Sequence, residues 1–110
     1  FVRKAPACTI GKLAEAICEK FSPNGADHPV NVTGVRPGEK LHETLVNEYE
    51  MQRVTEEELF YAIHPEYHVP EHHTEQPLGT EYTSANTQQL ESAADIEPLL
   101  DKMGEVELYI

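Results

Sequence analysis

Apolar and polar positions change period several times along the chain, and each change marks an element. Phe1 to Ala5 has extended character and runs into Pro6, which disfavours helix at the residue before it, so a strand end is predicted there. After Thr9, the apolar residues Ile10, Leu13, Ala14, Ile17 and Phe21 recur at helical spacing. Thr9 is placed to cap this helix and Ser22-Pro23-Asn24-Gly25 to stop it. Residues 29–35, PVNVTGV, alternate Val30, Val32 and Val35 with polar residues, the pattern of a half-buried strand leading into a turn at Arg36. From Lys40, the spacing of Leu41, Leu45 and Val46 predicts a short helix, and the acid-rich residues 48–58 a second, exposed helical piece. Residues 59–63, LFYAI, are apolar and β-prone and predict a buried strand.

Regularity then stops. Residues 64–80 hold three prolines and four histidines and read as a long loop. EYTSANT, residues 81–87, has strand or turn character. A last helix is expected to begin near Asp95, which puts Pro98 in its first turn, where the missing N–H costs little. A start at Ser92 would place Pro98 deeper, at a cost of up to ~3 kcal/mol. Gly104 is expected to end this helix, and EVELYI to close with a strand-like alternation. The whole predicts an α/β fold, a short sheet with two to three helices, in one domain over residues 1–110.

Charge narrows the possible partners. The net charge of −12 argues against nucleic acid, whose affinity comes largely from lysine and arginine on phosphates. The imbalance is uneven: residues 1–47 hold six basic and five acidic side chains, residues 48–110 two basic and fifteen acidic. A small anion is therefore better received by the first part, while the acidic remainder reads as a solvated surface. Cys8 and Cys18 match no zinc or redox spacing and read as reduced thiols of a cytoplasmic protein. No stretch approaches the ~18 apolar residues of a membrane span, and no signal peptide is visible.

Within the less acidic part, VRPGEKLHE at 35–43 concentrates the candidate chemistry. Pro37 fixes φ at the second position of a turn, and Gly38 tolerates the positive φ that a type II turn needs at the third. A rigid turn before a helix would present Arg36 as a planar fork to a diphosphate, with backbone N–H groups at the positive helix end adding attraction. Glu39 would accept hydrogen bonds from neutral hydroxyls. The plainer alternative makes Arg36 and Lys40 solvated turn charges. His64, His68 and His72 recur every four residues with His73 adjacent, but Pro65 and Pro70 prevent one helical face, so no metal site is assigned. His42 beside Glu43 has no nucleophile in a recognisable setting, and Glu56-Glu57-Glu58 lacks the spacing of a calcium loop and reads as solvent-facing.

FVRKAPACTIGKLAEAI followed by GVRPGEKLHETLVNEYE resembles the C-terminal substrate-binding part of the nucleotide-sugar 4,6-dehydratases of polysaccharide biosynthesis, extended short-chain dehydrogenase/reductases acting on UDP-N-acetylglucosamine. EYTSANTQQL is similar to that family's closing segment, and residues 64–80 match nothing in it. The resemblance implies a UDP-sugar substrate, with Arg36 on the diphosphate and Glu39 on hydroxyls of the nucleotide or sugar. It implies a reaction in which hydride passes from carbon 4 of the sugar to NADP, water leaves across carbons 5 and 6, and the hydride returns to carbon 6. NADP and the catalytic groups would lie in a Rossmann domain missing here, and the parent enzyme would form homo-oligomers. The 110 residues contain no G-x-x-G-x-x-G loop, and no tyrosine has a lysine four positions on, so no catalytic or cofactor-binding residue is assigned. A different reading is a freestanding α/β binding or interaction module in which the turn is structural only.

Overall fold

The computed structural model describes residues 1–103. The first helix, α1 (Ile10–Phe21), starts where Thr9 stays extended (φ −71°, ψ 151°) and its side-chain oxygen accepts the Lys12 N–H. This satisfies one of the donors that a helix start leaves without an intrahelical partner. A single 3₁₀ turn, Gly25–Asp27, follows the stop. The other helices are α2 (Glu48–Met51) and α3 (Ala93–Lys102). The strands are β1 (Val2–Arg3), β2 (Thr44–Val46), β3 (Val54–Glu56), β4 (Phe60–Ile63) and β5 (Tyr82–Thr83). They form two short antiparallel sheets, β1-β4-β3 and β2-β5. The fold is the small α/β arrangement expected.

The chain divides into two compact units, Phe1–Ala7 with Gly38–Gln89, and Cys8–Pro37 with Leu90 onward. The first holds both sheets and α2. Val2 pairs with Tyr61, and Glu56 with the same Tyr61 on its other side, while Val54 faces Ile63. Alternation along the strands therefore puts Val2, Val54, Glu56, Tyr61 and Ile63 on one face. The apolar members of that face, with Val46, Met51 and Tyr82, make the first core. The second unit packs α1 against α3. Its core is Ala16, Ala93 and Ile96, with Cys8, Leu13, Leu90 and Leu100 around it. Small residues at the centre let the two helices come close, and Ile10, at 80% exposed, lies off the buried stripe that the apolar spacing suggested.

Four expectations are corrected. Residues 29–35 form no strand: Val30, Val32 and Val35 are 57%, 93% and 82% exposed, and none of the described strands pairs with them. Alternation specifies which face a strand would bury, but it cannot supply the partner that a ladder needs. The helix expected from Lys40 is instead β2, drawn into a ladder with β5, where Val46 lies opposite Tyr82. The helical piece over 48–58 is one turn, α2, capped by Asn47, followed by β3. Finally, α3 starts at Ala93 rather than near Asp95, because the Ser92 hydroxyl accepts the Asp95 N–H at 3.3 Å. Pro98 consequently lies inside the helix; the carbonyl it cannot serve belongs to the exposed Ala94, where water can reach it. The expected stop at Gly104 and the EVELYI strand lie outside the described residues.

Candidate functional site

Pro37 and Gly38 form the turn read from the sequence, and Gly38 has φ +86°, the left-handed region that a type II turn requires there. A Cβ at Gly38 would meet nothing within 4 Å, so backbone conformation rather than crowding calls for glycine. Arg36 and Glu39 are both solvent-exposed. No helix follows the turn, which removes the helix N-terminus as a contributor to anion binding. What the turn offers is a side-chain fork at Arg36 and a carboxylate at Glu39. The boundary between the two units falls inside this motif, between Pro37 and Gly38.

Lys4-Ala5-Pro6, the end of VRPGEKLHE and EYTSANT meet within the first unit. The Ala5 carbonyl, in Lys4-Ala5-Pro6, accepts the Thr87 hydroxyl at 2.6 Å, and Thr87 in turn accepts the Tyr82 hydroxyl at 2.7 Å. Ser84 and Glu43 exchange two bonds of 2.8 Å, Glu43 N–H to Ser84 Oγ and Ser84 N–H to the Glu43 carbonyl. Asn86 locks the same turn, its side chain accepting the Thr83 N–H and donating to the Glu81 carbonyl. So KAP, the end of VRPGEKLHE and EYTSANT form one hydrogen-bonded assembly. Their residue types serve contact with each other.

A cavity of about 500 Å³ opens beside this assembly. Glu56 and Tyr61 sit on its wall with Lys4, whose ammonium lies 2.9 Å from Glu56 Oε1 and 4.8 Å from the Tyr61 ring centroid. Tyr61 donates its hydroxyl to the same carboxylate at 3.3 Å, and the Gln76 amide donates to Oε2 at 3.4 Å. The Lys4 hydrogen bond outweighs burial and holds the Glu56 carboxyl below the ordinary carboxylate value. Burial, with the Glu56 charge second, pushes the Tyr61 phenol up. Glu56 is exposed, as the sequence leads one to expect of the acidic triplet, and is in addition a partnered carboxylate, which the sequence did not show. The missing signal was strand register: of three consecutive glutamates, only pairing with Tyr61 shows which one turns toward the core face.

Residues 64–80 contain turns and no helix or strand. The segment is tied to β3, where the Thr74 N–H donates to the Val54 carbonyl and its hydroxyl accepts the Glu56 N–H. His64 Nε2 lies 2.7 Å from the Thr55 hydroxyl, and His73 Nδ1 2.9 Å from the Pro70 carbonyl. Among the described residues no group of three or more His, Cys, Asp or Glu is placed to hold a metal ion, and Cys8 and Cys18 are free thiols. No helix among them is long and apolar enough to cross a membrane.

Residues 1–65 match the family model described as polysaccharide biosynthesis protein. The chain belongs to that family. The stretch includes the KAP segment, the Arg36 turn and strands β1 to β4. Similar curated proteins include UDP-glucose 4-epimerase of Rickettsia typhi, 35% identical over 98 residues that cover 82% of this chain and 28% of that protein. UDP-glucose 4-epimerase of Rickettsia felis is 40% identical over 63 residues, 57% of this chain and 18% of that one. An uncharacterized membrane protein of Methanocaldococcus jannaschii is 33% identical over 69 residues, 59% and 21% of the two chains. The chain thus spans under a third of the length of these relatives.

Proposed function

We propose that this chain is the nucleotide-sugar-binding portion of an enzyme that remodels a UDP-linked sugar for polysaccharide synthesis. The observation that carries the reading is the exposed Arg36-Pro37-Gly38-Glu39 turn, with Gly38 at positive φ, inside the stretch that matches the family model. Arg36 supplies a planar, permanently charged fork for the diphosphate, and Glu39 accepts hydroxyls of the nucleotide or sugar. Among UDP-linked sugars we propose UDP-N-acetylglucosamine, and 4,6-dehydration as the reaction of the parent enzyme; the epimerase relatives support the UDP-sugar class.

The residues present do not fit NADP. There is no glycine-rich loop between a strand and a helix and no Tyr-x-x-x-Lys pair in the 110 residues. Binding and orienting the substrate is therefore the whole role proposed for this chain, and hydride transfer is assigned to a dinucleotide-binding domain of the parent.

The test is nuclear magnetic resonance shift mapping of the 110-residue chain with UDP. Perturbations should centre on residues 35–43, with weak affinity, since a site completed by a second domain loses preorganisation without it. In the parent enzyme, Arg36→Ala should lower kcat/KM roughly 10- to 150-fold, largely through KM, and Arg36→Lys should recover part of that. Unchanged kinetics in an alanine variant with an unshifted melting temperature would return the turn to a purely structural role.

A further inference from the structure

We propose that residues 64–80 are a strap that closes the outer edge of β3, hiding a surface through which two copies of this chain would pair. An edge strand offers unpaired N–H and C=O groups to any other strand it meets. In the sheet β1-β4-β3, β4 is central and β3 lies at one edge. Arg53 accepts the His64 N–H and Glu57 donates to the Phe60 carbonyl, both toward the β4 side, which turns the backbone groups of Val54 and Glu56 outward. Thr74 meets both residues: its N–H donates to the Val54 carbonyl at 2.8 Å, and its hydroxyl accepts the Glu56 N–H at 2.8 Å. These are the two bonds that a residue of a parallel neighbouring strand makes, with a hydroxyl standing where its carbonyl would be. Side chains secure the strap on either side of Thr74, His64 Nε2 lying 2.7 Å from the Thr55 hydroxyl and Gln76 donating to Glu56 at 3.4 Å.

The strap ends the sheet instead of extending it. The carbonyls of Pro65, Pro70 and Pro77 accept the N–H groups of His68, His73 and Thr80 at 3.0, 3.1 and 3.1 Å, so the segment is a series of proline-opened turns whose backbone is spent locally. The Pro-x-x-His of PEYH and PEHH is thereby a turn pattern. Glu66, Glu71 and Glu75 are exposed along the strap, and residues 64–80 hold no lysine or arginine, so two straps repel each other. The edge behind it, by contrast, is complementary to itself. Two copies of β3 set antiparallel about Thr55 bring the outward groups of Val54 opposite those of Glu56, and Arg53 of each opposite Glu57 of the other. Backbone and charge are satisfied in one register, which is why a second copy is the partner that fits. None of these residues belongs to 35–43, so the proposal does not rest on the nucleotide reading.

The experiment is sedimentation velocity of the 110-residue chain over a concentration series, with circular dichroism as the control for folding. Thr74→Pro removes both the N–H and the hydroxyl, whereas Thr74→Val keeps the N–H and the side-chain shape and loses only the bond to Glu56. The apparent dimer dissociation constant should fall roughly tenfold or more in Thr74→Pro and by less in Thr74→Val. Adding Glu57→Arg to either variant sets like charges across the pair and should reverse the gain. In Thr74→Val the Glu56 amide should also exchange with solvent roughly tenfold faster, a readout that stands even if the proline variant fails to fold. The proposal is overturned if the folded variants sediment as the wild type does, if their association persists undiminished with Glu57→Arg, or if Glu56 exchange is unchanged in Thr74→Val.

Discussion

Each of the two units is held together internally by its own means. In the second, a helix pair closes over Ala16, Ala93 and Ile96, with the Lys20–Asp101 ion pair at its rim. In the first, strands of two to four residues are tied by hydroxyls, amides and one charged network whose members stand far apart in sequence: Lys4 with Glu56, Ala5 with Thr87, Glu43 with Ser84. Such strands have little ladder of their own, so directional bonds between loops take over part of what longer sheets do through backbone pairing. The difference teaches where a site can be built. A packed helix pair leaves few polar groups turned inward, whereas a loop-tied sheet brings many together at a cavity wall.

The sharpest way to break that comparison is to empty each core in turn. Met51→Ala in the first unit and Ile96→Ala in the second should each cost ~2–5 kcal/mol. Near-ultraviolet circular dichroism follows the Tyr61–Tyr82 pair, whose ring centroids are 5.1 Å apart, and far-ultraviolet signal follows the helices. Each substitution should lower the midpoint of its own signal more; equal shifts in both would show that the units unfold as one. Next in size, Ser92→Ala should lose ~1 kcal/mol through the α3 cap, read as helical content and midpoint.

Tyr82→Phe should cost about 0.5–1.5 kcal/mol, since Thr87 keeps its bond to the Ala5 carbonyl when the phenol is gone. A null effect by denaturant titration would show that the loop bonds of the first unit contribute specificity rather than stability. The smallest effect belongs to the Lys4–Glu56 pair, whose side chains are 26% and 37% exposed and therefore worth about 1 kcal/mol or less. Glu56 has a lowered folded pKa, so its contribution is present above its ordinary value of 4.5 and is lost as pH falls through the lowered one. Glu56→Gln should thus flatten the acid limb of the melting temperature against pH while changing little at neutrality.

Sequence legibility follows the same division. Thr9, Leu13 and Ser22 declare α1 because a helix is closed by residues three and four apart, and the Pro37-Gly38 turn is equally local. Val30 and Val32 carry as clear a strand pattern as any in the chain and pair with none of the described strands. Leu45 and Val46 read as helix and are strand because Tyr82, 36 positions on, lies across from Val46. The candidate turn was legible from backbone chemistry. The cavity was not, because Lys4, Glu56 and Tyr82 share a wall only after three strands have chosen their register.

Pro98 gives α3 an internal seam. Its ring nitrogen has no hydrogen to give, so the rung that would run to the Ala94 carbonyl is absent by covalent structure. On one side of the seam lie the Ser92 cap and the buried Ala93 and Ile96; on the other lie Leu100 and the Asp101 carboxylate held by Lys20. In amide exchange the first turn of α3, whose leading N–H groups have no intrahelical acceptor, should lose its protons early, and the amides just beyond Pro98, whose acceptors lie one turn back across the seam, should keep theirs longer.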